Sequence, residues 1–199
     1  MKNILILYPK EFKCQSKFER KVSFITQNLD EFSVSFIEDF NNLIIPFFEK
    51  MNRNIQVKRI EENAYSEISH VIIFDDDEVF PKEISFFRSK NIPSRIVKIA
   101  ITRVINIKKD TQYDKDTSEY EYIGRGSYWG NPHSMYENGD TRDEVIRKFQ
   151  YDFDRDMFIN KKKNEVHKLT GKRLGCFCKP EKCHGDILAD FLNTYDDGK

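Results

Sequence analysis

Apolar runs alternate with amphipathic segments along the first hundred residues of the chain. The runs are short and rich in Ile, Val, Leu and Phe, which is typical of buried strands. The segments between them repeat their apolar side chains at helical spacing. Strands that alternate with helices predict a parallel sheet covered by helices, so we expect a Rossmann-like domain of the α/β class over residues 1–100. The strand-like runs are residues 3–8, 33–37, 55–60, 70–75 and 95–100.

Three polar residues mark expected helix starts. Ser16 and Thr141 are each followed three residues later by Glu, which is the capping-box pattern. Asp39 is placed to cap another helix, and Pro46 either kinks that helix or lies in its first turn. The helix after Thr141 is predicted to bury one stripe of apolar side chains, which consists of Val145, Phe149, Phe153 and Met157.

The second half of the chain has a different pattern, with fewer strand-like runs and longer polar stretches. Residues 102–107 and 172–178 are predicted strands, whereas the polar residues 110–121 are expected to form an exposed loop. A last helix is predicted to start near Asp186, and the end of the chain beyond it is expected to fray. We therefore predict a small α+β domain over residues 101–195.

Residues 174–186 hold three of the four cysteines and one of the four histidines. Cys176, Cys178, Cys183 and His184 match zinc ligands in number and type, so zinc is a candidate cofactor. Their spacing is unusual for a structural zinc site, because Cys183 and His184 are adjacent and cannot easily bind one ion together. Cys176 and Cys178 lie two apart on a predicted strand, so they share a face and can instead fill core space.

The same segment also fits a ligand-binding or reactive turn. Cys183 and His184 stand where the last helix starts, and a helix N-terminus favours phosphate groups and lowers the pKa of a thiol. Asp186 is placed either to cap that helix or to act as a base on a bound substrate. The candidate catalytic residues are therefore Cys183, His184 and Asp186, as an alternative to metal binding.

A glycine-rich stretch around the only tryptophan is the second candidate site. Its glycines permit close approach of a ligand, Arg125 offers a fork for phosphate or carboxylate, and Trp129 offers a stacking surface. Asn131 can bind a base edge or fix the loop. The opposite interpretation is a glycine turn in which Trp129 fills the core and Arg125 forms a structural ion pair. The predicted ligand-binding residues are Gly124, Arg125, Gly126, Ser127, Trp129 and Asn131.

Several segments of the second half carry a resemblance to a known family. Residues 102–193 resemble DUF4326, a domain of unknown function common in phage and bacterial genomes. The resemblance places most candidate residues of both stretches in the signature segments of the family, and it implies no reaction. The segments are residues 103–107, 122–132, 140–149 and 171–188.

The first half resembles the SLOG superfamily at residues 69–75 and 90–97, which look like the closing strand–helix–strand of that superfamily. The resemblance implies a Rossmann-like domain that binds or processes nucleotide-derived ligands. The glycine-rich phosphate loop of such domains is missing, and residues 37–41 stand roughly in its place. We therefore expect this half to serve as a scaffold or a partner surface.

Composition and charge exclude several classes of protein. The chain of 199 residues has 39% hydrophobic and 33% charged residues, as expected for a soluble globular protein, and its net charge is zero. Nucleic-acid binding is not expected, because it needs a basic excess. No apolar run is long enough to cross a bilayer, and the first residues do not resemble a signal peptide. We expect a cytoplasmic protein whose cysteines are thiols or metal ligands.

Three functions are compatible with these patterns. The first is binding of a nucleotide-like small molecule, with hydrolysis or transfer, for example at an N-glycosidic bond, carried out by Asp186 or Cys183. The second is a non-enzymatic sponge for a nucleotide signal, or an effector that blocks a host protein. The third is a zinc-stabilised interaction module. A homodimer is compatible with each, because the chain is rich in Phe.

Overall fold

The computed structural model describes residues 1–51, 54–136, 139–158 and 161–198. The chain divides into two compact units. The first consists of Met1–Ile99 together with Thr194–Lys199, and the second consists of Ala100–Asn193. Each unit has its own parallel sheet.

The first unit is built on five parallel strands. These are β1 (Lys2–Leu7), β2 (Phe32–Phe36), β3 (Val57–Arg59), β4 (His70–Asp75) and β5 (Ser94–Lys98). Their spatial order is β3-β2-β1-β4-β5. Ile4 in the centre of the sheet pairs with Val34 of β2 and with His70 of β4. The predicted α/β class is confirmed, and the two clearest apolar runs form adjacent central strands.

The helices of the first unit are α1 (Gln15–Thr26), α2 (Ile44–Lys50) and α3 (Pro81–Ser89), and a 3-10 turn spans Glu62–Glu67. Asp39 caps α2 as predicted, because its carboxylate accepts hydrogen bonds from the backbone amides of Leu43 and Ile44 at 2.8 and 3.1 Å. Pro46 lies in the first turn of that helix, where its missing amide costs nothing. The capping box predicted at Ser16 is wrong, because α1 already begins at Gln15 and has no side-chain cap bond.

Aromatic side chains fill the first unit near the carboxyl ends of its central strands. Tyr8 follows β1 directly, is buried, and packs edge-on against Phe18. Phe18 also stacks on Phe74 of β4, with 5.4 Å between the ring centroids. The Tyr8 hydroxyl donates to Asp39 Oδ1 at 2.5 Å and accepts from the Asn41 amide at 3.0 Å. Protein side chains therefore occupy part of the edge at which open α/β sheets commonly bind ligands.

The second unit contains a sheet of three parallel strands with two helices. The elements are β6 (Arg103–Asn106), β7 (Tyr120–Tyr122), α4 (Arg142–Asp154), β8 (Arg173–Cys176) and α5 (His184–Thr194), with a 3-10 turn at Lys163–Leu169. β8 lies between β6 and β7. The capping box at Thr141 is confirmed, because Thr141 Oγ1 accepts from the Glu144 amide at 3.3 Å and the Glu144 carboxylate accepts from the Thr141 amide at 2.7 Å.

Three predicted boundaries in the second unit are wrong. β7 begins inside the segment predicted as a polar loop, because Tyr120 and Glu121 pair with β8. β8 ends at Cys176, so Cys178 lies in the following turn and not on the strand. α4 ends at Asp154, which leaves Met157 exposed instead of on the buried stripe.

The end of the chain is held in place, contrary to the prediction of a frayed tail. Asp196 forms an ion pair with Arg20 at 2.7 Å, and Asp197 forms one with Lys17 at 2.8 Å. Both cations belong to α1, and the Lys17 side chain is almost fully buried. These ion pairs explain why the last residues belong to the first unit.

The core of the second unit lies between its sheet and its two helices. Phe149 and Phe153 from α4 meet Leu174 from β8 and Leu188 from α5 in one buried cluster, which also contains Trp129. Both helices are therefore amphipathic, with one buried stripe each. In the described parts of the chain, no helix combines the length and the apolar content that a membrane span requires.

Candidate functional site

A cavity of about 370 Å³ in the second unit brings the two candidate stretches of sequence together. Tyr122, the last residue of β7, pairs with Gly175 of β8. Gly124 and Cys176 follow these two residues, so they lie at the same edge of the sheet. Parallel pairing therefore explains why the two stretches meet. The predicted site residues that line the cavity are Gly124, Arg125, Asn131, Cys176, Cys178, Cys183 and His184.

Four predicted site residues do not line this cavity. Trp129 is only 3% exposed and packs in the core of the unit, so its ring offers no face to a ligand and the stacking prediction is wrong. Gly126 has a φ of 82°, a conformation that favours glycine in a turn. The Ser127 hydroxyl is buried without a hydrogen-bond partner among the described residues. The fourth residue, Asp186, belongs to a helix cap.

Asp186 serves the start of α5 instead of the cavity. Its Oδ2 accepts a hydrogen bond from the Cys183 backbone amide at 3.0 Å, and its Oδ1 forms an ion pair with Lys179. Asp186 is the third residue of α5, and its side chain reaches back to the residue before the helix. There it accepts a hydrogen bond from an amide that would otherwise lack a partner. The capping role expected for Asp186 thus has a structural basis, and its position gives no support to a role as a base.

Three thiols form a compact cluster at one side of the cavity. The sulfur atoms of Cys176, Cys178 and Cys183 all lie within 4.8 Å of one another, and Cys176 Sγ is 3.5 Å from Cys183 Sγ. Cys176 and Cys183 are buried, whereas Cys178 is half-buried. The cluster is therefore a group of soft ligand atoms that could hold a metal ion.

The thiol cluster is electrostatically asymmetric. Hydrogen bonding from the Cys183 thiol lowers the pKa of Cys176, and the backbone amides of Cys178 and Lys179 act in the same direction. The pKa of Cys183 is raised, first because its thiol donates that bond and then because it is buried. Cys176 is therefore the more acidic thiol of this pair.

His184 lies buried against the glycine-rich stretch. Its Nε2 donates a hydrogen bond to the Ile123 carbonyl at 2.9 Å, and its ring packs edge-on against Phe149. Burial lowers the pKa of His184 to about 4, although the carbonyls of Ile123 and Trp129 act in the opposite direction. The imidazole is therefore neutral near pH 7, and it connects the start of α5 to the end of β7.

Asn106 is a site residue that sequence reasoning missed. It ends β6 beside Cys176, is buried, and donates from Nδ2 to the carbonyls of Phe177 and Lys179 at 3.2 and 2.6 Å. Its Oδ1 accepts from the Lys108 amide at 2.9 Å. Asn106 thus fixes the turn that carries Cys178. The available signal was a polar residue inside an otherwise apolar run.

Three cationic side chains line the cavity, and two of them were also missed. Arg125 lies over the ring of Tyr136 at 5.8 Å, and Arg142 donates to the Lys182 carbonyl at 3.4 Å. Lys182 is the third cation. No lining residue in the described part of the chain carries a carboxylate. The lining is therefore cationic, although the net charge of the whole chain is zero.

The loop after Trp129 is fixed by its own side chains. Asn131 donates from Nδ2 to the Val145 carbonyl at 3.0 Å and accepts the His133 amide on Oδ1 at 2.9 Å. His133 in turn pairs with Asp152 of α4 at 2.7 Å. Asn131 therefore has the loop-fixing role that was one of its two predicted roles, while it also borders the cavity.

Comparisons with known proteins divide the chain near residue 105. The family model described as the minimal SLOG domain matches residues 1–105, and the model of the domain of unknown function DUF4326 matches residues 105–194. A curated relative is the uncharacterized 12.4 kDa protein in the nrdA-td intergenic region of Enterobacteria phage T4. It is 36% identical over 94 residues, which is 47% of this chain and 79% of the relative. No solved structure matches the chain significantly.

Proposed function

We propose that this chain, which belongs to the minimal SLOG domain family and carries a DUF4326 domain after it, binds a nucleotide-like small molecule in the cavity of its second unit. A SLOG-type domain suggests nucleotide-related binding or processing. The observation that carries the proposal is a cavity of about 370 Å³ lined by three cations. A cavity of that size suits a small molecule, and its charge favours an anion.

Arg125 and Arg142 are the side chains that we assign to the phosphate. A guanidinium presents a planar fork that matches two phosphate oxygens, whereas Lys182 adds a point charge. Arg125 is exposed beside the cavity and contacts the Tyr136 ring, which orients the guanidinium without neutralising it. Arg142 is half-buried on the first turn of α4, where water screens its charge less.

Phe177 is the side chain that we assign to the base. It lines the cavity and is 52% exposed, so one face of its ring is available for stacking. Lys108 lies over the same ring at 5.4 Å from its centroid. Phe177 thus takes the role that the sequence suggested for Trp129.

Sequestration of the ligand is favoured over its turnover. Cleavage of an N-glycosidic bond needs an acid or base near the sugar, and Asp186 is committed to the helix cap and to Lys179. His184 is neutral and donates its Nε2 proton to a carbonyl. We therefore expect the bound molecule to be held unchanged, with hydrolysis or transfer as the alternative.

Calorimetric titration with a nucleoside 5′-monophosphate and with its parent nucleoside tests the proposal. We expect the nucleotide to bind and the nucleoside to bind much more weakly. Arg125→Ala should weaken nucleotide binding by about ten- to a hundredfold, since a hydrogen bond to a charged group contributes roughly 1.5–3 kcal/mol. Arg147→Ala is the matched control, because Arg147 is exposed on α4 and does not line the cavity.

Equal affinity for the nucleotide and the nucleoside would contradict the proposal, as would unchanged affinity in both Arg125→Ala and Arg142→Ala. Chromatography of the recovered ligand separates the two forms of the proposal. An intact nucleotide indicates sequestration, whereas a released base indicates cleavage of the N-glycosidic bond.

The cysteines support a cytoplasmic location. All four are free thiols, including Cys176 and Cys183 with sulfurs 3.5 Å apart. Thiols so close together stay reduced in the cytosol and are prone to oxidation outside it. We therefore expect the protein to act in the cytoplasm.

A further inference from the structure

We propose that Cys176, Cys178 and Cys183 bind one zinc ion whose fourth coordination position opens into the cavity. Cys176 Sγ and Cys183 Sγ are 3.5 Å apart, and all three sulfurs lie within 4.8 Å of one another. In a tetrahedral site with Zn–S bonds near 2.3 Å, two sulfurs are about 3.8 Å apart. The cluster therefore needs only small adjustments to present three thiolates to one ion.

The three ligands are held by ordered backbone. Cys176 ends β8, Cys183 immediately precedes α5, and Cys178 lies in the turn between them. Asn106 holds that turn through two carbonyl groups, at 3.2 and 2.6 Å. Outer residues that fix the orientation of the ligands are characteristic of metal sites.

Hydrogen-bond donors and a cation stand beside the cluster. The Cys178 amide donates to Cys176 Sγ at 3.3 Å, and Arg142 hydrogen-bonds to the Cys178 thiol. Three thiolates with a divalent ion carry one net negative charge, which Arg142 balances. Soft sulfur ligands select zinc over the hard cations magnesium and calcium.

The fourth position is not supplied by the protein among the described residues. His184 was the expected fourth ligand, but its Nε2 donates to the Ile123 carbonyl and it does not belong to the thiol cluster. No other His, Cys, Asp or Glu of the described chain joins the cluster. Three protein ligands leave one position of a tetrahedral zinc ion open, whereas a closed structural site takes four. Since all three cysteines line the cavity, water or a ligand oxygen would complete the coordination.

Metal analysis of the full chain, purified with reductant and without chelator after expression with zinc, tests the proposal. We expect about one zinc per chain in the wild-type protein. Cys178→Ser should reduce the zinc content to background, and it is the variant of choice because Cys178 is half-buried. Cys14→Ser is the matched control, because Cys14 is a buried cysteine of the first unit and should not affect the zinc content.

A second measurement on the wild-type chain does not depend on the folding of any variant. X-ray absorption at the zinc edge should give three sulfur neighbours and one oxygen or nitrogen neighbour. Cobalt in place of zinc should give the visible absorption of a tetrahedral thiolate site. Addition of inorganic phosphate should then change that absorption, because the open position faces the cavity.

Several results would overturn the proposal. These are a reduced wild-type chain that takes up no zinc, coordination by four sulfurs, and loss of zinc in Cys14→Ser. A Cys178→Ser variant that keeps its zinc would do the same. Arg125→Ala should keep its zinc even if it loses nucleotide affinity, so failure of the nucleotide proposal and failure of the zinc proposal are distinguishable.

Discussion

The two units differ at the carboxyl ends of their central strands. In the first unit Tyr8 follows the central strand, and its buried ring packs against Phe18. In the second unit Gly124 and Cys176 stand at the ends of adjacent strands, beside a cavity of about 370 Å³. The first unit has a cavity of about 630 Å³ further along its edge, after β2 and β3, so a shared sheet architecture does not determine where space for a ligand remains.

The two units also differ in charge at these edges. In the first unit the buried carboxylate of Asp75 ends β4 and pairs with Lys98 at 2.7 Å, so its charge is compensated. In the second unit Arg125, Arg142 and Lys182 line the cavity without a carboxylate among the described lining residues. A phosphate-bearing ligand is therefore expected in the second unit, although the SLOG match covers the first.

Truncation of a buried aromatic side chain in the first unit should have the largest effect on stability. Phe18 is fully buried between Tyr8, Phe47 and Phe74. Phe18→Ala should lower the free energy of unfolding by about 3–5 kcal/mol, because the lost contacts leave a cavity. Urea unfolding followed by far-UV circular dichroism measures the change.

Phe24→Ala is the matched control for this prediction. Phe24 lies on the same helix and is 70% exposed, so its truncation should change stability by no more than about 0.5 kcal/mol. A loss below about 1 kcal/mol in Phe18→Ala would mean that the filled edge is not tightly packed.

Low pH should destabilise the second unit, because its buried His184 must then take up a proton. Its pKa is lowered from the ordinary 6.5 to about 4 by burial, so the unfolded chain binds a proton that the folded chain does not bind. The stabilising contribution is full above pH 6.5 and is lost as the pH falls towards 4. Complete loss amounts to roughly 3 kcal/mol, of which about 2 kcal/mol is gone at pH 5.

Trp129 fluorescence during urea unfolding at pH 7.5 and pH 5 measures this effect in the second unit, since Trp129 is the only tryptophan and lies in its core. His184→Gln should flatten the pH dependence. Nuclear magnetic resonance titration of His184 in the wild-type protein gives an independent result, and a pKa near 6.5 would contradict the prediction.

The smallest expected effect on stability concerns the two helix starts that carry the capping-box pattern, at Thr141 and at Ser16. Thr141→Ala should destabilise the second unit by about 1 kcal/mol, because it removes the hydroxyl that accepts the Glu144 amide. Ser16→Ala should have a smaller effect, since Ser16 lies inside α1 and forms no helix cap, and its hydroxyl hydrogen-bonds to Asp196 near the chain end. Equal losses in the two variants, measured by urea unfolding, would contradict the assignment of these helix starts.

Most strands and helices were predictable, because the spacing of apolar residues along the chain is a local property of the sequence. The strand at residues 70–75 was predicted with its observed limits, and the Thr141 capping box is confirmed. β7 was missed, because Tyr120–Tyr122 is short, polar and held only by pairing with a strand more than fifty residues later. Pairing over that distance leaves no periodic signal in so short a segment.

The sequence indicated the two stretches that carry the candidate site residues, but not how their side chains are arranged in space. Residues of both stretches line one cavity. The burial of Trp129, the cap formed by Asp186 and the turn fixed by Asn106 were not derivable, because each depends on contacts with distant segments. Residue type alone leaves a tryptophan or an aspartate with several equally plausible roles.

The amino-acid sequence by itself determined most of the strands and helices, the two families and the segments that carry the candidate chemistry, since period and motif are read along the chain. Only the tertiary structure decided that three cysteines form a cluster, that His184 stays outside it, and that Arg142 and Lys182 join the cavity. The physical reason is packing: the side of a loop that becomes buried depends on the elements that fold against it.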